Sequence, residues 1–121
     1  MKENIILTKT YKFAVRIVKL NKHLCTSTNQ YDIARQILRS GTSIGANTEE
    51  AIGAESKKDF IHKISISYKE ARETKYWLRL LRDAEILQDN MVESLLTEIE
   101  EILAILGKIK ITSSKSIRKN H

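Results

Sequence analysis

The side chains that could carry out chemistry in this chain are few and scattered. One cysteine stands at 25 and three histidines at 23, 62 and 121, whereas a zinc site needs three or four ligands converging on one point. His23 and Cys25 are two residues apart, so on a helix their side chains diverge and do not pair as base and nucleophile. Cys25 reads instead as a small, semi-buried residue. Asp59-x-x-His62 approaches the Glu-x-x-His repeat of di-iron bundles, but such a centre needs two of these pairs and two further carboxylates. Glu49 with Glu50, and Glu70 with Glu73, could be imagined as acid and base. Without a partnered histidine or a metal motif they read as solvated or salt-bridged carboxylates. Gly41-Thr-Ser-Ile-Gly45 invites a phosphate-loop reading, yet no lysine follows and no strand precedes it. No catalytic residue, metal or cofactor is expected, and hence no enzymatic activity.

The remaining constellation is basic. The net charge is +6, from 21 cations and 15 carboxylates. Residues 4 to 31 carry Lys9, Lys12, Arg16, Lys19 and Lys22 without a carboxylate, and residues 102 to 121 carry Lys108, Lys110, Lys115, Arg118 and Lys119 without one. Those two stretches hold +10, and the remaining 11 cations and 15 carboxylates leave −4. Such asymmetry points to an anionic partner, nucleic acid ahead of a membrane surface. Lys9, Lys12, Arg16 and Lys19 recur at intervals of three and four, which puts them on one helix face as a candidate phosphate-contacting ridge. Arg72, Lys75, Arg79 and Arg82 repeat the pattern with Tyr76 and Trp77 interleaved, but Glu70, Glu73, Asp83 and Glu85 dilute it. The first ridge is therefore the better candidate.

Helices must position these ridges. With no proline and four glycines, the chain lacks the turn punctuation of a many-stranded fold. Helix 1 is expected over residues 5–24, with Ile6, Phe13, Ile17, Leu20 and Leu24 inward and Ala14 and Val18 widening the stripe. Thr26-Ser-Thr-Asn29 then offers caps to helix 2, over residues 30–54. Its inward face reads Ile37, Ser40, Ile44, Asn47, Ala51 and Ala54, flanked by Leu38, Gly41, Gly45 and Thr48. Two glycines four apart on that face predict very close helix packing. Asn47 needs amide partners there, among Ser40, Glu50 or helix 3, and reads as structural. Ser56 with Asp59 opens helix 3, over 57–87, and Asn90 with Glu93 opens helix 4, over 91–111. The inward stripe of helix 3 is Phe60, Ile64, Ala71, Leu78 and Leu81, and that of helix 4 is Val92, Leu95, Ile99, Ile102, Leu106 and Ile109. Residues 112–121 are expected to form a basic, disordered tail.

These elements predict one all-α domain over residues 1–111, an up-down-up-down four-helix bundle. A second apolar face on helices 3 and 4, made of Ile66, Trp77, Leu80, Leu96 and Leu103, predicts a homo-oligomer interface. The longest apolar run, Ile102 to Leu106, is far short of the roughly 20 residues of a membrane span. A lone cysteine and no signal sequence fit a reducing cytoplasm.

The run Arg39-Ser-Gly-Thr-Ser-Ile-Gly-Ala-Asn-Thr-Glu-Glu-Ala51, with Ser56-Lys-Lys-Asp-Phe60 and Ser67-Tyr-Lys-Glu-Ala-Arg-Glu-Thr-Lys-Tyr-Trp-Leu78, resembles the bacterial four-helix bundle family encoded in intervening sequences of 23S rRNA genes. The similarity covers about residues 8 to 110. The same superfamily includes the accessory variability protein of diversity-generating retroelements, a basic homopentameric barrel that binds nucleic acid and a reverse transcriptase. The resemblance thus implies a ring-like homo-oligomer, a pentamer, binding RNA or DNA without catalysis. It also marks Arg39, Ser43, Asn47, Glu50 and Glu73 as architectural positions, while many members carry proline where Gly45 stands. The competing expectation is a scaffold that docks a reverse transcriptase or a ribosomal component, its cations steering the partner.

Overall fold

Residues spaced at three and four fold inward and dictate the architecture. The computed structural model describes residues 2–119, with side chains over 5–116. It comprises α1 (Lys2–His23), α2 (Tyr31–Ile52), α3 (Lys57–Asp83) and α4 (Asp89–Lys119), with no strand among the described residues. Each helix packs on its neighbour in sequence and α4 returns to α1, while the α1 and α3 backbones make no close approach. Short connections between sequential neighbours produce this antiparallel square. The expected α1 stripe is buried throughout, from Ile6 to Leu24, and Val92, Leu95, Ile99, Ile102 and Leu106 of α4 join it.

Ser40, Gly41, Ile44, Gly45, Thr48 and Ala51 line the buried face of α2. The expected close approach is real: a Cβ on Gly41 would lie 2.8 Å from both γ-carbons of Ile17, and one on Gly45 3.3 Å from the Thr10 hydroxyl. α2 runs unbroken through both glycines. Asn47 is half-buried rather than central, and its amide donates to the Ser43 carbonyl of its own helix at 2.8 Å. Its partner is therefore neither Ser40, nor Glu50, nor α3.

Four boundaries differ from expectation. Leu24–Thr28 extends α1 as a turn of π-helix ended by Asn29 at φ 58°. The Thr26 and Thr28 hydroxyls donate back to the carbonyls of Lys22 and Leu24, so this segment chiefly closes α1. At α3 the Ser56 hydroxyl does accept from the Asp59 N–H, at 3.1 Å, but the helix ends at Asp83 rather than residue 87. There Glu85 takes φ 59°, and its N–H and that of Ile86 donate to the carbonyls of Arg82 and Leu81. This is a Schellman closure with glutamate in the place that glycine occupies most readily. α4 begins at Asp89, so Asn90 and Glu93 form no cap, and Glu93 instead reaches Arg82. Finally, α4 continues past Ile111 to Lys119 where a disordered tail was expected. No proline or glycine follows Gly107 to stop it, and the Ser116 hydroxyl meets Lys57 Nζ of α3. The side chains of Arg118 and Lys119, and all of His121, lie outside the described residues.

Candidate nucleic-acid interface

α4 settles which cations are available. It lies between the two basic ridges and turns a carboxylate toward each. On the α1 side Lys9 Nζ meets Glu101 at 3.0 Å, and Arg16 donates to Glu98 at 2.7 Å and to the Ser94 hydroxyl at 3.1 Å. On the α3 side Lys75 pairs with Glu100, and Arg82 with Asp83 at 2.8 Å and Glu93 at 3.2 Å. Asp83 is held below the ordinary aspartate range by the Arg82 hydrogen bond. Of the seven expected contact residues, Lys9, Arg16 and Lys75 are thus occupied within the fold. Lys12, Lys19, Arg72 and Arg79 are exposed and make no ion pair among the described residues.

Each ridge thus keeps two exposed cations outside the ion pairs of the described residues, Lys12 and Lys19 on α1 and Arg72 and Arg79 on α3. On α3 the exposed series is Lys69, Arg72, Tyr76 and Arg79, at intervals of three, four and three on the outer face. Lys110 of α4 lies over the Tyr68 ring, 5.5 Å from its centroid, extending the positive surface across the α3–α4 edge. Tyr76 also meets Trp77 edge-on at 5.2 Å between ring centres. On α1, by contrast, the free lysines adjoin an apolar stripe. Tyr11, Val15 and Val18 are 64%, 39% and 51% exposed, so Val18 does not widen the core stripe as expected.

The expected oligomer face is only partly free. Leu96 is 8% exposed and belongs to the core, because α4 rolls it inward beside Leu95. Ile66, Trp77, Leu80 and Leu103 are half-buried. Trp77 Nε1 donates to Glu73 at 3.3 Å. Next to them the Glu70 carboxyl is pushed up, first by burial and then by repulsion from Glu73, against the opposing pull of Arg39 and Lys69. Of the other architectural positions, Ser43 donates to the Arg39 carbonyl at 2.6 Å and Glu50 pairs with Lys63 at 3.1 Å.

Two side chains that the sequence reading passed over hold the bundle together. Ser67 is fully buried and donates to the Ile44 carbonyl at 2.8 Å, with the Thr48 hydroxyl also 2.8 Å away. Thr74, equally buried, donates to Ser40 at 2.8 Å. Their signal was heptad spacing, since 60, 64, 67, 71, 74, 78 and 81 form one inward seam of α3.

Among the described residues no three His, Cys, Asp or Glu side chains are grouped to hold a metal. A cleft of about 780 Å³ opens at the end of the bundle beside Ile52, Phe60, Ile105 and Ile109, with Lys57 and Lys108 at its rim; none of the expected contact residues lines it. No described helix is long and apolar enough to cross a membrane.

The family model described as 23S rRNA-intervening sequence protein matches residues 2–108. No curated protein matches the chain. Among solved structures, a protein of unknown function from the S23 ribosomal protein family of Bacteroides thetaiotaomicron is similar at a TM-score of 0.89 and 46% identity, over 91% of this chain and 98% of that one.

Proposed function

The chain belongs to the 23S rRNA-intervening sequence protein family, and from that premise we propose a cytoplasmic, non-enzymatic homo-oligomer that binds RNA or DNA through phosphate contacts. One observation carries the reading: Arg72 and Arg79 stand exposed outside the ion pairs of the described residues, on a ridge with Lys69 and Tyr76 and beside Lys110. Arginine offers phosphate a two-pronged donor set, and neighbouring aromatic rings can stack on unpaired bases. Repetition around an oligomer, a ring of five in the form the family resemblance implies, multiplies this weak surface by avidity. Lys9, Arg16 and Lys75 contribute less, because a phosphate must first displace Glu101, Glu98 or Glu100.

Fluorescence anisotropy of labelled RNA and DNA across a salt series tests this. For Z engaged phosphates, log affinity should fall with log salt at a slope of about −0.7Z to −0.9Z. Replacing Arg72 and Arg79 by glutamate should weaken binding and flatten that slope. Unchanged binding in that variant removes the α3 ridge as the site.

The exposed Tyr11, Val15 and Val18 favour a second reading. An apolar stripe on a helix is a protein contact more readily than a phosphate one. A scaffold docking a reverse transcriptase or a ribosomal component would keep specificity in that contact and bind nucleic acid only weakly and without preference.

A further inference from the structure

Two stripes outside the core differ in what rims them. On α1, Tyr11, Val15 and Val18 follow one another at four and three residues, Lys22 continues the line, and Lys12 and Lys19 run alongside. No carboxylate occurs anywhere from residue 4 to 31. On α3, Ile66, Glu70, Glu73, Trp77 and Leu80 recur at four, three, four and three, all half-buried. There burial first, and the neighbouring Glu73 second, leave Glu70 harder to ionise than an ordinary glutamate against the pull of Arg39 and Lys69. One stripe is rimmed by cations and the other carries two carboxylates.

We propose that a second copy of this chain covers both stripes head to tail, the lysine-rimmed Tyr11–Val18 face of α1 in one copy seating on the Ile66–Leu80 stripe of α3 in the next. This rests on the homo-oligomer reading above and adds which faces meet. The stripes do not meet within one chain, since the α1 and α3 backbones lie diagonally across the bundle and both stripes lie outside its core. Neither is self-complementary, because two α1 faces would set lysine against lysine and two α3 faces glutamate against glutamate. Their lengths are comparable: at about 1.5 Å of rise per residue, Tyr11 to Lys22 spans about 16 Å and Ile66 to Leu80 about 21 Å. A contact between unlike faces either closes into a ring or continues as a filament. It engages Lys12 and Lys19 but not Arg72 and Arg79, which lie about 120–160° around α3 from Ile66 and Trp77 at about 100° per residue. Arg72 and Arg79 of the phosphate-contacting ridge stay open, while Lys69 borders the contact.

Light-scattering mass of the full chain tests it, with two variants: Lys12→Glu with Lys19→Glu, and Glu70→Lys with Glu73→Lys. Each leaves one stripe intact and should weaken self-association by about tenfold or more through like-charge opposition, giving one-chain mass with an unchanged helical circular dichroism spectrum. Mixed in equal amounts, the two variants should regain association in alternating order, because the unchanged α1 face of one meets the unchanged α3 stripe of the other and the two reversed faces are again of opposite charge. If either variant keeps the wild-type mass, or the folded variants do not pair on mixing, the assignment of faces is overturned while the homo-oligomer reading survives. A monomeric wild type overturns both.

Discussion

The seam between α2 and α3 and the seam between α1 and α4 use opposite chemistry. The first is dry: Ser40, Thr48, Ser67 and Thr74 are fully buried, and each hydroxyl is satisfied by another or by a backbone carbonyl. The second is stitched at the surface by Lys9–Glu101 and Arg16–Glu98, whose side chains are 38–51% exposed. Water and salt screen an ion pair at that exposure, whereas a buried hydroxyl that loses its partner has nothing to replace it. The α2–α3 seam therefore holds the bundle, and the α1–α4 seam governs how much charge the protein shows.

The sharpest way to break that contrast lies where α2 meets α1. Gly41→Val should destabilise by about 1–3 kcal/mol in a urea melt. Ile17 is fully buried and β-branched, so it cannot swing away from a side chain built 2.8 Å from it. Gly41→Val and Ile17→Ala together should cost less than the sum of the two alone, since alanine removes both γ-carbons, and that coupling would attribute the loss to the contact. Next comes Thr74→Val, which keeps the shape but leaves Ser40 with only a 3.5 Å approach to the Ile37 carbonyl. A loss of about 1–2 kcal/mol is expected, insensitive to salt. On the other seam, Glu98→Gln with Glu101→Gln should cost under about 1 kcal/mol per pair, and less at high salt. The same change frees Lys9 and Arg16, so nucleic-acid affinity should rise and its salt slope steepen. If the Gln pair destabilises more than Thr74→Val does, the contrast between the seams is wrong.

The smallest effect is a pH dependence. Glu70 binds its proton more tightly in the folded chain than the ordinary glutamate value of 4.5. Its contribution to stability is thus fully present below that value and is lost as pH rises through the raised folded value. Urea melts across that window should show a slight decline with rising pH that Glu70→Gln abolishes. NMR titration should move the Glu70 midpoint down when Glu73 becomes glutamine.

Much of the bundle was legible. The apolar stripes of α1 and α4 and the Gly41–Gly45 approach follow from local spacing, and Ser56 caps α3 as its sequence suggests. Ser67 and Thr74 escaped because a polar residue reads as a surface residue until its partner is known. Asn90 and Glu93 misled for a related reason: a capping pattern competes with extending the helix one residue earlier, and Arg82 draws Glu93 away. The candidate site was less legible. Both ridges were visible, but which of their cations are paired was not.

Sequence alone determined what depends on neighbours three and four residues apart, namely which faces are apolar, which are basic, and where small residues let two helices touch. Only the tertiary structure decided which cations remain free. Lys9 and Arg16 are neutralised by carboxylates 92 and 82 residues away, and nothing local to α1 announces them. Charge is additive in a composition but pairwise in a fold. The available positive surface depends on which helix lies beside which, and α4, lying between the ridges, occupies Lys9, Arg16, Lys75 and Arg82 and leaves Lys12, Lys19, Arg72 and Arg79 exposed.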